Sequence, residues 1–207
     1  MRYAIMSDVH GQVQALKTAI ADARGCSAER LVLLGDMVGG GPSSSWEALA
    51  FCRSAFDVVV MGNCDADYAY AADLSFVGRE TAEWLISLPE LSVDGDAVFV
   101  HRGLRRDNGK MAAGFGYPFD EPTARRTFEA MDDGIRLAFI GHTHERKVWR
   151  CNALGDIEGG QDDCLYLAND ARYIINVGSI GRPRSGMAAS YVIYDSSQRK
   201  ISFRQFD

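Results

Sequence analysis

Five short apolar runs, each leading within two residues to a side chain able to bind a metal, constrain this chain more than any other feature. Residues 3–6 run into Ser7-Asp8, residues 31–34 into Gly35-Asp36, and residues 58–61 into Gly62-Asn63. Residues 97–100 run into His101-Arg102, and residues 137–140 into Gly141-His142. Runs this short and rich in Val, Ile and Leu read as buried strands. In open α/β sheets, chemistry gathers just outside the carboxyl ends of the strands. Five strand ends that each carry a ligand-type residue therefore predict one shared site.

Helical signals fill the gaps between the early runs. Val13, Leu16, Ala19, Ile20 and Ala23 fall on one helical face, and Gly25 supplies a stop signal. Ser44-x-x-Glu47 has the form of a capping box opening a helix through about Phe51. Residues 79–88 form a third helix ended by Pro89, and residues 122–131 a fourth with Ala124, Phe128 and Met131 inward. This alternation predicts an α/β domain over the first two-thirds of the chain. After residue 145 the pattern changes to strands and turns, at 146–151, 164–167, 173–177, 189–194 and 201–206. The last of these either complete the core sheets or pair with another subunit. The stretch 102–119 reads as a long glycine-rich loop, and such loops are often functional. No repeat or linker divides the 207 residues, so one domain is expected.

Composition narrows the function. A net charge of −6 argues against an extended nucleic-acid-binding surface, although a local positive pocket remains open. No stretch approaches the roughly 20 apolar residues of a membrane span, and the N-terminal apolar run is too short for a signal sequence. The five cysteines are scattered and odd in number, which suits reduced thiols and a cytoplasmic setting.

All four histidines in the chain, His10, His101, His142 and His144, fall at strand-end positions. Asp8 precedes His10 by two, and Asp36 and Asn63 each follow a glycine. Imidazole nitrogen with carboxylate and amide oxygen suits Mn²⁺, Fe²⁺, Ni²⁺, Co²⁺ or Zn²⁺. The glycines at 35, 62 and 141 are expected to permit tight turns that aim the next side chain. Read singly, Asp8 could cap a turn, Asp36 a helix and Asn63 a turn; together they point to a metal site.

Ser7-Asp8-Val9-His10-Gly11, Gly35-Asp36-Met37-Val38-Gly39, Gly62-Asn63-Cys64-Asp65, Val100-His101 and Gly141-His142-Thr143-His144 resemble, in order, the signature of the calcineurin-like metallophosphoesterases. Asn176-Val177-Gly178-Ser179 is similar to a segment of the family's small bacterial and archaeal phosphodiesterase-like branch. The resemblance implies a two-sheet β-sandwich flanked by helices. It also implies two divalent ions, manganese first among them. Asp8, His10 and His144 would hold one ion, Asn63, His101 and His142 the other, with Asp36 between them. In that family a metal-bridging hydroxide attacks the phosphorus of a small phosphoester, and nucleotides are among the implied substrates. Arg102, Arg105, Arg182 and Arg184 are candidates for binding phosphate oxygens in pairs.

Cys64 stands where many relatives have a histidine that acts as general acid. Two readings stay open: the site favours diesters or activated esters, or Cys64 is only a small buried residue. Asp65 is expected either to orient the site or to cap a turn. Gly39-Gly40 replaces the Asp-Arg of the Ser/Thr protein phosphatases, which turns the expectation away from phosphoproteins. Arg102 follows His101 where glycine is usual. Other chemistries fit poorly. No cysteine is followed six residues later by arginine, Gly109-Lys110 is followed by Met111 rather than Ser or Thr, and Gly178-Ser179 lacks the preceding glycine of a nucleophile elbow. A phosphodiesterase is thus expected ahead of a phosphomonoesterase, with a non-catalytic metal-binding scaffold, as in the phosphoesterase-like subunit of retromer, as the reading from another class. The sequence leaves the oligomeric state open.

Overall fold

The computed structural model describes residues 1–71 and 79–206. Two six-stranded sheets face each other. The first runs in the order β11 (Cys164–Tyr166), β14 (Lys200–Phe206), β13 (Ala189–Asp195), β1 (Arg2–Met6), β2 (Arg30–Leu33) and β3 (Val58–Val59). The second runs β10 (Ile157–Gly160), β9 (Arg146–Cys151), β12 (Arg172–Val177), β8 (Leu137–Ile140), β5 (Ala97–Val100) and β4 (Leu91–Asp94). Each sheet contains one parallel trio, β1-β2-β3 in the first and β12-β8-β5 in the second. The antiparallel strands lie outside these trios. Strands 164–206 thus extend both sheets of the same chain, answering the alternative the sequence left open.

The space between the sheets is filled by alternate residues of both trios. Ile5, Val32 and Leu34 from one side meet Phe99, Phe139, Tyr173 and Ile175 from the other. Burying a side chain of this size contributes roughly 1.5–3 kcal/mol. The outer face of the first sheet is covered by α1 (Val13–Gly25), α2 (Pro42–Ala55), α3 (Asn63–Ala71) and α4 (Arg79–Ser87). The outer face of the second is covered by α5 (Glu121–Ala130), whose Ala124 and Phe128 pack against Val98 and Ile174. Both faces of each trio are therefore dry, which is why their strands read as unbroken apolar runs rather than alternating ones.

Three expectations change. Ser44 does not open α2. The helix starts at Pro42 after Gly41, without a side-chain cap, because proline's fixed φ and missing N–H suit the first helical position. The capping box sits instead at α5, between Asp120 and Thr123. The stretch 102–119 is not all loop: β6 (Leu104–Asp107) and β7 (Lys110–Ala113) form a hairpin. Its turn is Asn108-Gly109, both at positive φ, as a two-residue hairpin turn requires. Finally, the run 58–61 is a two-residue strand, and α3 begins at Asn63 rather than after a turn.

Candidate metal centre

The parallel trios position the site. Beyond the ends of β1, β2 and β3 come Asp8 and His10, Asp36, and Asn63; beyond β5 and β8 come His101, and His142 and His144. Past β1 the chain stays bonded to the segment after β2: the Asp8, His10 and Gly11 amides donate to the carbonyls of Gly35, Asp36 and Met37 at 2.9–3.0 Å. Asp8, His10, Asp36, His142 and His144 all take left-handed backbone angles, with φ between 47° and 67°. At each of these positions the strand direction is abandoned and the side chain is turned into the shared rim.

Two groups result. Donor atoms of Asp8, His10 and His144 lie within 4.8 Å of one another, as do those of Asp36, His101 and His142. Asp36 links them, with Oδ2 3.4 Å from His101 Nε2 and 3.9 Å from His10 Nε2. Asn63 Oδ1 is 3.1 Å from His101 Nε2, and His10 Nε2 is 3.1 Å from His144 Nε2. The rings are held from behind. His101 Nδ1–H donates to the Leu34 carbonyl at 2.8 Å and His10 Nδ1–H to the Val38 carbonyl at 3.2 Å. Carbonyls can only accept, so each ring is left with Nε2 facing inward, the usual arrangement for a metal-binding imidazole.

The fit to a cation can be tested on one atom. Asp8 Oδ1 is buried and accepts no well-aligned hydrogen bond, with the His144 Nε2 facing it at 3.3 Å, while Asp8 Oδ2 accepts from the His142 amide at 3.0 Å. An orphaned buried carboxylate oxygen is expensive unless a positive charge faces it. Three carboxylates, of Asp8, Asp36 and Asp65, are buried in this one cluster. In the metal-free chain, burial of Asp36 opposes its ionisation, but His101 outweighs it and holds the carboxyl below the usual range. Burial likewise works against a charged His101, yet Asp36 and Asp8 lift it to about 9. Burial and the neighbouring His101 push His142 down to about 4. The excess of negative charge and the nitrogen–oxygen donor set fit divalent cations.

Asp65 is wholly buried and spends both oxygens on backbone. Oδ2 accepts from the amides of Asp36 and Gly62 at 2.8 and 3.0 Å, and Oδ1 from Met37 and Val38 at 2.9 and 3.3 Å. It ties the segments after β2 and β3 together without facing the open rim. Even with four donors, burial and the Asp36 charge push its pKa up to about 6.

Cys64 lies beside Asp36, whose Oδ1 accepts from the Cys64 amide at 2.8 Å. Its sulfur comes within 4.8 Å of donor atoms of His10 and Asp36. Burial and the Asp36 charge push the thiol up to about 12.

The arginines separate. Arg102 lines a cleft of about 170 Å³ with Asn63, His101 and Arg105, and donates from Nη1 to the Phe115 carbonyl at 3.3 Å. Arg105 is partly engaged, by the Ala113 carbonyl and Asp107. Arg184 pairs with Glu145 at 2.6 Å, and Arg182 is exposed.

The segment 176–181 is a strut under the site. Asn176 Nδ2 donates to the Gly141 carbonyl and Thr143 Oγ1 at 2.9 and 2.8 Å, while Ser179 Oγ donates to the Asp8 carbonyl at 2.9 Å. It thereby joins the segments after β1 and β8. The glycines serve two different needs. Gly35 has a positive φ of 95°, as a tight turn demands. Gly62 and Gly141 do not; a Cβ on Gly141 would strike Ser7 Oγ and Asp8 Oδ2, and one on Gly62 would strike Asp36. Close approach, not turning, selects glycine there. Tyr117 was not foreseen in the sequence: its ring lies 4.9 Å from that of His142. The alternation of glycine and aromatics in Gly114-Phe115-Gly116-Tyr117 is the signal that could have found it.

Comparison with known proteins is consistent across the whole chain. The family model described as a calcineurin-like phosphoesterase superfamily domain matches residues 1–199. An uncharacterised protein of Methanocaldococcus jannaschii is 27% identical over 223 residues, covering 96% of this chain and 84% of its own. A metallophosphoesterase from Sphaerobacter thermophilus superposes with a TM-score of 0.85 at 29% identity, over 100% of this chain and 88% of that one. A Pyrococcus horikoshii protein superposes at 0.68 with 16% identity, again over 100% and 88%, and shares the fold.

Proposed function

Because the chain belongs to the calcineurin-like phosphoesterase superfamily, we propose that it hydrolyses phosphodiesters and nucleotide-type phosphoesters ahead of phosphomonoesters, using two divalent cations. The observation that carries this reading is a chain of three overlapping donor clusters, Asp8-His10-His144, His10-Asp36-Cys64 and Asp36-His101-His142. Asp8, His10 and His144 would hold one cation, Asn63, His101 and His142 the other, and Asp36 would serve both. Such a pair supplies an activated water and draws off negative charge developing on the phosphoryl oxygens.

The remaining work falls to the chain itself. Arg102, in the cleft beside His101 and Asn63, is suited to bind a non-reacting phosphate oxygen by a charge-assisted hydrogen bond. Asn63 and Cys64 stand at the start of α3, where the helix dipole favours an anion. Asp65 acts as a positioning residue, since its carboxylate holds backbone on both sides of Asp36. Cys64 supports the preference for diesters. A thiol brings no positive charge, and a monoester dianion needs more countercharge than a diester monoanion at a site already crowded with carboxylates. Manganese is the cation proposed first, on the mixed nitrogen and oxygen donor set. Five free thiols support a reducing, cytoplasmic setting.

The test is hydrolysis of bis-p-nitrophenyl phosphate beside p-nitrophenyl phosphate, with metal-stripped protein resupplied with Mn²⁺. Turnover should return with metal and favour the diester. A preference for the monoester would overturn the substrate reading, and two bound metals with neither ester cleaved would favour a scaffold. Cys64→His should then shift the diester-to-monoester ratio of kcat/KM toward the monoester by at least about tenfold, below the ~10²–10⁴ that a fully positioned acid–base group contributes. An unchanged ratio would mean that residue 64 does not set the preference.

A further inference from the structure

A second cavity adjoins the cleft at the metal centre. It has a volume of about 440 Å³ and lies between β6, the segment 114–117 and α5. Arg105, Gly114 and Phe115 line both spaces and form the wall between them. The cleft at His101, at about 170 Å³, falls below the ~300–1,000 Å³ usual for sites that enclose a small organic ligand, whereas the second cavity falls within it. The first has room for the phosphoryl group; the second has room for what the phosphoryl group is attached to.

The walls identify that group. Phe115 is 81% exposed, so most of its ring surface is open to a ligand. The Arg105 guanidinium lies 5.5 Å from its centroid, so ring and cation together offer a flat π-accepting surface. Tyr117 lines the cavity on one side and meets the His142 ring on the other, which makes the wall toward the metal centre aromatic. Arg126 and Glu129, both exposed on α5, bring a donor and an acceptor to the opposite wall. The segment is pinned in place. The Gly103 amide donates to the Gly116 carbonyl at 2.9 Å, and the Gly114 amide to the Gly103 carbonyl at 2.7 Å.

We propose that this cavity binds the nucleoside part of a nucleotide-type ester, with the base stacked on Phe115, while the phosphoryl group reaches His101 and Asn63. The proposal rests on the phosphoesterase reading above and adds its specificity element. Stacking on an aromatic ring needs a planar heteroaromatic partner, and hydrogen-bonding groups on the far wall suit the edge of a base. A purely aliphatic ester would make no use of Arg126 and Glu129.

The experiment compares thymidine 5′-(p-nitrophenyl phosphate) with methyl p-nitrophenyl phosphate, which share a leaving group and differ in the nucleoside. The wild-type protein should prefer the nucleoside ester at least tenfold in kcat/KM. Phe115→Leu should remove most of that preference, and Phe115→Tyr should keep it, because stacking rather than bulk is at stake. No preference in the wild type, or a ratio unmoved by Phe115→Leu, overturns the proposal. In parallel, thymidine 5′-monophosphate is titrated into metal-free protein. Binding that weakens at least fivefold in Phe115→Leu supports the cavity even if neither ester is cleaved, so that failure of hydrolysis stays separate from failure of this site. Binding that Phe115→Leu leaves unchanged counts against it.

Discussion

Replacing Asp36 by asparagine is expected to lower turnover by at least about 1,000-fold, the upper end of what one preorganised electrostatic group contributes. Asp36 is the carboxylate common to both sides of the site: its donor atoms group with His10 and Cys64 on one side and with His101 and His142 on the other. Asparagine keeps its shape, and its carbonyl oxygen can still accept from the Cys64 amide, which Asp36 Oδ1 does at 2.8 Å. What it loses is a full negative charge that the two proposed cations would share. The melting temperature should stay near that of the wild type while metal content and turnover fall. Unchanged turnover in clean protein would sink the assignment of Asp36 as the group between two cations.

Asp65→Ala should act on the other axis, stability. Four buried backbone amides, of Asp36, Met37, Val38 and Gly62, would lose their acceptor. At about 1 kcal/mol for each orphaned donor, the lower end of the usual range, the loss is about 4 kcal/mol. For a chain of this size that corresponds to a fall in unfolding midpoint of roughly 8–16 °C. One effect opposes it. The carboxylate is itself costly to bury beside Asp36, as its elevated pKa of about 6 shows, and alanine removes that cost. Removing one partner of a buried polar network nevertheless weighs more, because the donors cannot reach water. Asp65→Asn should fall between, keeping one oxygen for two amides. Thermal unfolding followed by circular dichroism gives the order, and an alanine variant melting within two degrees of wild type, on the order of 0.5–1 kcal/mol, would show that Asp65 is not a clamp.

The parts of this molecule that the sequence made legible are those governed by local chemistry. The parallel strands announce themselves because both faces are buried, so residues 97–100 and 137–140 are apolar throughout. The candidate ligands were readable because the strand ends put them at fixed places in the pattern. The helix α3 was not readable: Asn63–Ala71 carries no apolar stripe, and its start depends on Asp65 accepting from the Gly62 amide. The Ser44 box misled because Gly41-Pro42 starts the helix three residues earlier, and it is Ser45, not Ser44, whose hydroxyl accepts from the Gly39 amide. The hairpin β6-β7 was signalled by Asn108-Gly109, a turn pair hidden inside a glycine-rich stretch. The clamp at Asp65 lies beyond any sequence pattern, since its partners are backbone amides from two separate segments.

The left-handed backbone at Asp8, His10, Asp36, His142 and His144 also bears on how this protein can change. Each costs about 1–2 kcal/mol relative to a right-handed residue, and glycine would relieve every one of them while deleting a proposed ligand. Selection for a hardier chain thus meets a veto at these five addresses: the substitutions that would relax the backbone most directly are those that disarm it. A lineage or an engineer seeking thermal tolerance has to look elsewhere, in helix surfaces and edge strands, because here stability and chemistry are traded residue for residue.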